Sequence, residues 1–263
     1  MRQRPQPRRP PRRPAPVPAG EAPDEFKVSG LRAVEALFRR DPDAIRRLYL
    51  DRAAAPAAGA ICRYLAERRR AYAVKDDAEL ARIAGTLHHG GIVAVIAARV
   101  PRLPGRGEID AWATARQPVL VLDGVSNPHN LGAIVRTAAF LGIEQVVLSE
   151  RPEQALPSPA AYRVAEGGFE HVALWRPPAV AAFLRELGRF HRILAASPRG
   201  TSLAGLKRDQ RPVALVLGNE ETGLSPAVEK LAAERIAIAG ADGVESLNVS
   251  VAAGILMYEL LRR

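Results

Sequence analysis

Arg136 lies in NPHNLGAIVRTAAFLG, a run of small and apolar residues that otherwise reads as a buried helix, directly after a polar Asn-Pro-His-Asn loop. A guanidinium is a permanent cation with planar donors, suited to holding an anion or stabilising negative charge as it develops. Leu131, Ile134, Val135 and Ala138 follow i, i+3, i+4, i+7 and define the core face. Arg136 falls about 140° from Leu131 at roughly 100° per residue, on the side of Gly132 and Ala133. Leaning over those small residues toward the helix N-terminus, it is expected to carry its charge to the loop. An isolated helical arginine is also an ordinary surface residue; the small residues and the polar loop favour function. Either Asn127, ahead of Pro128, or Asn130 caps this helix.

Two further polar loops follow strand-like runs. LGNEETGLS, residues 217–225, has two glycines for a tight path and two carboxylates, Glu220 and Glu221. One of the pair is a functional acid, or both are solvated turn residues. In GADGVESLNVSVAAG, residues 240–254, Ser246 stands where an N-cap belongs. The helix after it is apolar on nearly every side and is expected to be buried. Asn248 and Ser250 are its polar exceptions, either satisfied caps or ligand contacts. His129 is a candidate base beside the first loop, against the plainer reading of an exposed turn histidine.

The elements that position these residues divide the chain. Residues 1–25 hold eight prolines and six arginines and are read as a disordered tail. Residues 26–100 alternate helix and strand: LRAVEALFRR, IRRLYL, ICRYLAERR, AYAVK, ELARIAG, GIVAVIAARV. Residues 101–116, punctuated by proline and glycine, read as a linker. From residue 117 to 263 the strands VLVLD, QVVLS, RILAAS, VALVLG and RIAIAG are continuous apolar runs, the mark of a parallel sheet covered on both faces. Helices are expected at LGAIVRTAAFLG, VAAFLRELGRF, SPAVEKLAAE and LNVSVAAGILMYELLRR. All three polar loops then fall at the C-terminal ends of strands, where α/β folds gather ligands.

Composition narrows the class. The net charge is +10, and the six arginines of residues 1–24 against Glu21 and Asp24 leave +6 on the remainder, which suggests a polyanionic partner. Cys62 is the only cysteine, so no internal disulfide forms and a reducing cytoplasm fits. With five scattered histidines, a structural zinc site is not expected. No apolar run reaches the roughly 20 residues of a membrane span, and no secretory apolar core follows the N-terminus. Glycine-rich dinucleotide and P-loop motifs, H-E-x-x-H and G-x-S-x-G are all absent from the sequence.

NPHNLGAIVRTA, LVLGNEETGLS and VESLNVSVAAG, in that order and spacing, resemble the SpoU/TrmH-type 2′-O-ribose RNA methyltransferases of the SPOUT superfamily. The resemblance covers residues 117–263; Phe26 to Val100, with VSGLRAVEAL and HGGIVAV, is similar to that family's small substrate-binding domain. It implies an α/β fold: a trefoil-knotted parallel-sheet domain preceded by a small L30e-like RNA-binding domain. It also implies S-adenosylmethionine as methyl donor, no metal, and a homodimer. By motif position it assigns Asn130, Arg136, Glu220, Ser246 and Asn248 to the catalytic site, and the backbone around Gly218, Ile238 and Leu247 to the cofactor. The chain departs from the family at Ile238-Ala239-Gly240-Ala241-Asp242, where Ile-Pro-Met-x-Gly is common, and at His89-Gly90-Gly91, where His-Gln-Gly is usual.

The implied reaction moves a methyl group from a sulfonium to a ribose 2′-hydroxyl, most simply of a guanosine in 23S rRNA. Alternatives are tRNA or adenosine as target, and a non-catalytic RNA-binding ribosome-assembly factor. Arginine's pKa lies above about 12, so Arg136 either loses its proton in an unusual site or, as favoured here, stabilises the developing alkoxide as a cation. Aromatic residues are 5% of the chain, so RNA contacts should rest on shape and phosphates more than on stacking.

Overall fold

The computed structural model describes residues 25–206, 209–241 and 245–261. The Arg/Pro-rich tail expected over residues 1–25 lies outside them, except that Glu25 opens the first strand. That strand, β1 (Glu25–Ser29), is followed by α1 (Leu31–Arg40), β2 (Ile45–Leu50), α2 (Gly59–Glu67), β3 (Ala71–Val74), α3 (Asp77–Ala84) and β4 (Ile92–Ala97). The four strands form a mixed sheet in the order β1-β4-β2-β3. β4 pairs antiparallel with both β1 and β2, and all its residues but the last are buried, as its unbroken apolar sequence requires.

Helix α4 (Arg106–Thr114) occupies the segment expected to be a linker. Only Ile109 and Trp112 of this helix are buried, too sparse a face for periodicity to reveal. The remaining elements are β5 (Val119–Asp123), α5 (Pro128–Phe140), β6 (Gln145–Leu148), α6 (Pro159–Ala165), β7 (Ala173–Trp175), α7 (Val180–Leu187), β8 (Arg192–Ser202), β9 (Val213–Gly218), α8 (Pro226–Glu229), β10 (Glu234–Ala237) and α9 (Val249–Leu260). Their sheet is parallel at every pairing, in the order β10-β8-β9-β5-β6-β7. The α/β class and the covered parallel sheet expected from the apolar runs are therefore found. SPAVEKLAAE makes only the single turn α8, because β10 begins within a few residues of it.

Two close approaches position α5. A Cβ on Gly132 would lie 2.5 Å from the Ala161 carbonyl oxygen, so α6 packs directly on the helix backbone there. On its other side α5 packs against α9, where Gly254 faces Thr137. The two sheets also share one hydrophobic cluster. Phe26 of β1 meets Tyr162 of α6 edge-on at 6.2 Å, and Tyr162 stacks on Phe169 at 4.4 Å. Beside them Arg99 Nη2 lies 2.7 Å from the Glu170 carboxylate, whose side chain is almost fully buried. Among the described residues, no helix is long and apolar enough to cross a membrane.

Candidate active site

Adjacent strands bring the first two loops together: β5 and β9 are neighbours in register, with Asp123 opposite Gly218. The loop after β5 ends in the N-cap Asn127, whose side chain accepts from His129 N at 2.8 Å, with Pro128 at the first helical position. Asn127 is thus the cap, which leaves Asn130 free for another role. His129 is exposed. The loop after β9 closes on itself through reciprocal hydrogen bonds between Asn219 and Gly223, at 3.0 and 3.1 Å. Gly218 is required there, since a Cβ would lie 2.5 Å from the Gly223 carbonyl carbon.

Glu220 projects from this loop into the first. Its Oε2 accepts from Ser126 N at 3.0 Å and Ser126 Oγ at 3.1 Å; its Oε1 accepts from Asn130 Nδ2 at 2.8 Å and Asn127 N at 3.4 Å. Burial pulls the carboxyl upward, but these donors outweigh it and hold Glu220 below its ordinary pKa. A carboxylate so occupied is a fixed acceptor and a poor base.

The third loop arrives from farther away. β10 is separated from β5 by β8 and β9, yet α9 returns to α5 and brings Asn248 to Asn130. Asn248 Nδ2 donates to Asn130 Oδ1 at 3.2 Å, while its Oδ1 caps α9 by accepting from Ser250 N at 2.9 Å and Ser250 Oγ at 2.6 Å. The cap of α9 is therefore Asn248 and not Ser246, which lies exposed two residues earlier. Asn248 is both a cap and a partner of Asn130. Asn130 ends as the middle of a chain, Glu220–Asn130–Asn248, that joins all three loops.

Arg136 does not reach this chain. Its Nη1 pairs with Glu166 Oε1 at 3.1 Å, at the C-terminal end of α6. The expectation that it leans over Gly132 is corrected: the surface above Gly132 is filled by Ala161 and Val164 of α6. The expectation that α9 is buried is corrected too. Leu247, Val251, Ile255 and Tyr258, on one face, are exposed, Val251 by 50%, and Phe140 at the end of α5 is 87% exposed.

Of the residues expected to hold a cofactor, Gly218 closes β9, Ile238 follows β10 with its side chain partly buried, and Leu247 precedes α9. Over 239–241 and 245–247 no backbone group hydrogen-bonds to another described residue. Main chain at the end of β9 and after β10, beside the partly buried apolar Ile238, is of a kind that suits a nucleoside-bearing cofactor. Asp242 lies outside the described residues.

The sequence reading missed a fourth loop. After β6, Arg151 donates from Nη1 to the carbonyls of Asp123 at 3.0 Å and Gly223 at 3.2 Å, tying the first two loops together. Gln154 accepts from Gly124 N at 2.9 Å and donates to the Val125 carbonyl at 3.1 Å. Asn219 Nδ2 donates to the Gly124 carbonyl at 2.8 Å. The rule that ligand sites form at strand C-termini would have found SERPEQ after QVVL, had it been applied to every strand. No sequence signal marked Glu166. Among the described residues, no three His, Cys, Asp or Glu side chains gather as a metal site.

Residues 117–258 match the SpoU rRNA Methylase family, and residues 27–101 match RNA 2′-O ribose methyltransferase substrate-binding domains. The protein named Uncharacterized tRNA/rRNA methyltransferase YfiF of Escherichia coli O157:H7 is 36% identical over 248 residues, 91% of this chain and 69% of its own. The 23S rRNA (guanosine-2′-O-)-methyltransferase RlmB of Yersinia pestis is 31% identical over 249 residues, 90% of this chain and 96% of its own. The SpoU methyltransferase AviRb of Streptomyces viridochromogenes, solved with the cofactor AdoMet, is alike in fold, with a TM-score of 0.71 at 21% identity over 90% of this chain and 89% of that one. Three joined loops at the end of a parallel sheet and these likenesses agree: the chain belongs to the SpoU rRNA methylase family of RNA methyltransferases.

Proposed function

We infer that this enzyme methylates the ribose 2′-hydroxyl of a guanosine in 23S rRNA. The observation that carries the reading is the Glu220–Asn130–Asn248 chain, which fixes two amides at the mouth of the sheet with Arg136 on the same helix. The name of the Yersinia pestis relative supports 23S rRNA and guanosine. Bound S-adenosylmethionine supplies an electrophilic methyl on a good leaving group. Residues around Gly218, Ile238 and Leu247 would hold it by main chain. Asn130, Ser246 and Asn248 position the ribose for in-line attack, and Glu220, fully occupied as an acceptor, fixes Asn130. As the oxygen forms its bond to the methyl and the methyl–sulfur bond breaks, the hydroxyl proton passes to water, and the Arg136 guanidinium stabilises the negative charge that develops on the oxygen.

Residues 26–100 read the RNA and residues 117–263 carry out transfer. The return of α9 across β8 and β9 suits the trefoil knot that the family resemblance implies. The exposed Leu247, Val251, Ile255 and Tyr258 with Phe140 suit the face of a homodimer, since an apolar patch of that kind is seldom left to water. A ribosomal RNA substrate suits an enzyme of the cytoplasm. The test is incubation of the purified protein with methyl-labelled S-adenosylmethionine and unmodified 23S rRNA or tRNA in separate reactions. Label in 23S rRNA as 2′-O-methylguanosine is expected. Label in tRNA alone would overturn the substrate, and tight RNA binding without label would favour an assembly factor.

A further inference from the structure

Glu166 joins two helices that the reaction brings into play. Its Oε1 lies 3.1 Å from Arg136 Nη1 of α5, and its Oε2 lies 3.4 Å from Arg32 Nη1 of α1, in the unit that reads RNA. The backbone around it is packed on both sides. Glu166 has φ 43° and ψ 46°, a left-handed conformation uncommon for a long side chain. A Cβ on Gly167 would lie 2.5 Å from the Ala36 Cβ of α1, and one on Gly168 would lie 2.9 Å from the Arg136 Cα. Residues 166–168 are thus wedged between α1 and α5. Meanwhile the guanidinium is held away from the Glu220–Asn130–Asn248 chain.

We propose that Glu166 is a positioning residue that parks Arg136 in the RNA-free enzyme, and that a phosphodiester of the incoming RNA takes its place on both arginines. The proposal rests on the assignment of Arg136 to the reaction. A phosphodiester offers a guanidinium the same paired anionic acceptors as a carboxylate. Two arginines on one carboxylate keep a net positive charge, so the trio attracts the strand that separates it. The side chains of Arg32, Glu166 and Arg136 are 80%, 39% and 51% exposed, so an RNA strand can reach all three. Ion pairs this exposed are weak, so Glu166 sets a resting position without locking it.

The test is steady-state methyl transfer to the RNA substrate, with direct RNA binding measured in parallel, for the wild type, Glu166→Gln and Glu166→Asp. Glu166→Gln keeps size and backbone while removing the charge. It is expected to lower both KM and Kd for RNA by about two- to fivefold, with kcat within about twofold; Glu166→Asp, which keeps the charge, should restore wild-type values. Unchanged KM and Kd in Glu166→Gln, or a lower kcat at unchanged KM, would overturn the proposal while leaving the methyltransferase reading intact. A wild type that binds RNA but transfers no methyl would remove the assignment of Arg136, and the proposal with it.

Discussion

At the scale of single residues, Arg136 and Glu220 bear opposite charges and do different work. Arg136 is half-exposed and held by one carboxylate, so it is free to move; Glu220 is held by four donors and is not. If Arg136 stabilises a developing alkoxide, Arg136→Ala should lower kcat by about 10²–10³-fold, as loss of one oxyanion donor does. Arg136→Lys should recover only part of it, since the planar fork is lost. Single-turnover methyl transfer measures both. Glu220 has a pKa below the ordinary 4.5, so its contribution to stability is full above about pH 4.5 and is lost as pH falls through the lowered value. Glu220→Gln should therefore flatten the acid side of the stability–pH curve below that point and leave its neutral side parallel to wild type, by urea unfolding at stepped pH. The sequence placed Arg136 off the core face of α5 and marked Glu220 as a candidate, but leaned the arginine over Gly132, where α6 lies instead. It did not say that Glu166 would hold the arginine, because β6 and a long loop separate the two in the chain and no periodic signal links them.

Among elements, α5 and α9 carry the site and depend on close approach and caps. Gly132→Ala would push a methyl into the Ala161 carbonyl and separate α5 from α6, an overpacking cost of about 1–3 kcal/mol. Chemical denaturation reads it directly. Asn248→Ala removes the α9 cap and the bond to Asn130 together. It should cost about 1 kcal/mol as a cap and also lower kcat, whereas a cap without a role in the site would affect stability alone. The strands β5, β6 and β9 and the core face of α5 were legible because unbroken apolar runs and a 3.6-residue period state burial plainly. β7, with three residues, and α4, with two buried side chains, carry too little pattern to be seen. α9 was legible as apolar, but composition cannot tell a fully buried helix from one that leaves an apolar face exposed.

For the whole molecule, the N-terminal unit and the parallel sheet are joined by more than a linker. Phe26 packs on Tyr162, and Arg99 meets Glu170, whose carboxyl is pushed upward by burial and only partly restored by the arginine. Arg99→Ala leaves that buried carboxylate without its cation and should cost about 3–5 kcal/mol in equilibrium unfolding; a change under about 0.5 kcal/mol would class the pair with exposed surface bridges. Val251→Glu with Ile255→Glu should turn a dimer into monomers in sedimentation, if the exposed face of α9 is the dimer face. The central claim is that three loops at one sheet edge, with Arg136 beside them, transfer a methyl to a ribose hydroxyl. Nucleoside analysis of 23S rRNA after reaction with the wild type and Arg136→Ala tests it most directly. The account predicts a 2′-O-methylated nucleoside from the wild type and, at matched early times, about 10²–10³-fold less from the variant; a methyl on a base, or equal yield from both proteins, would contradict it.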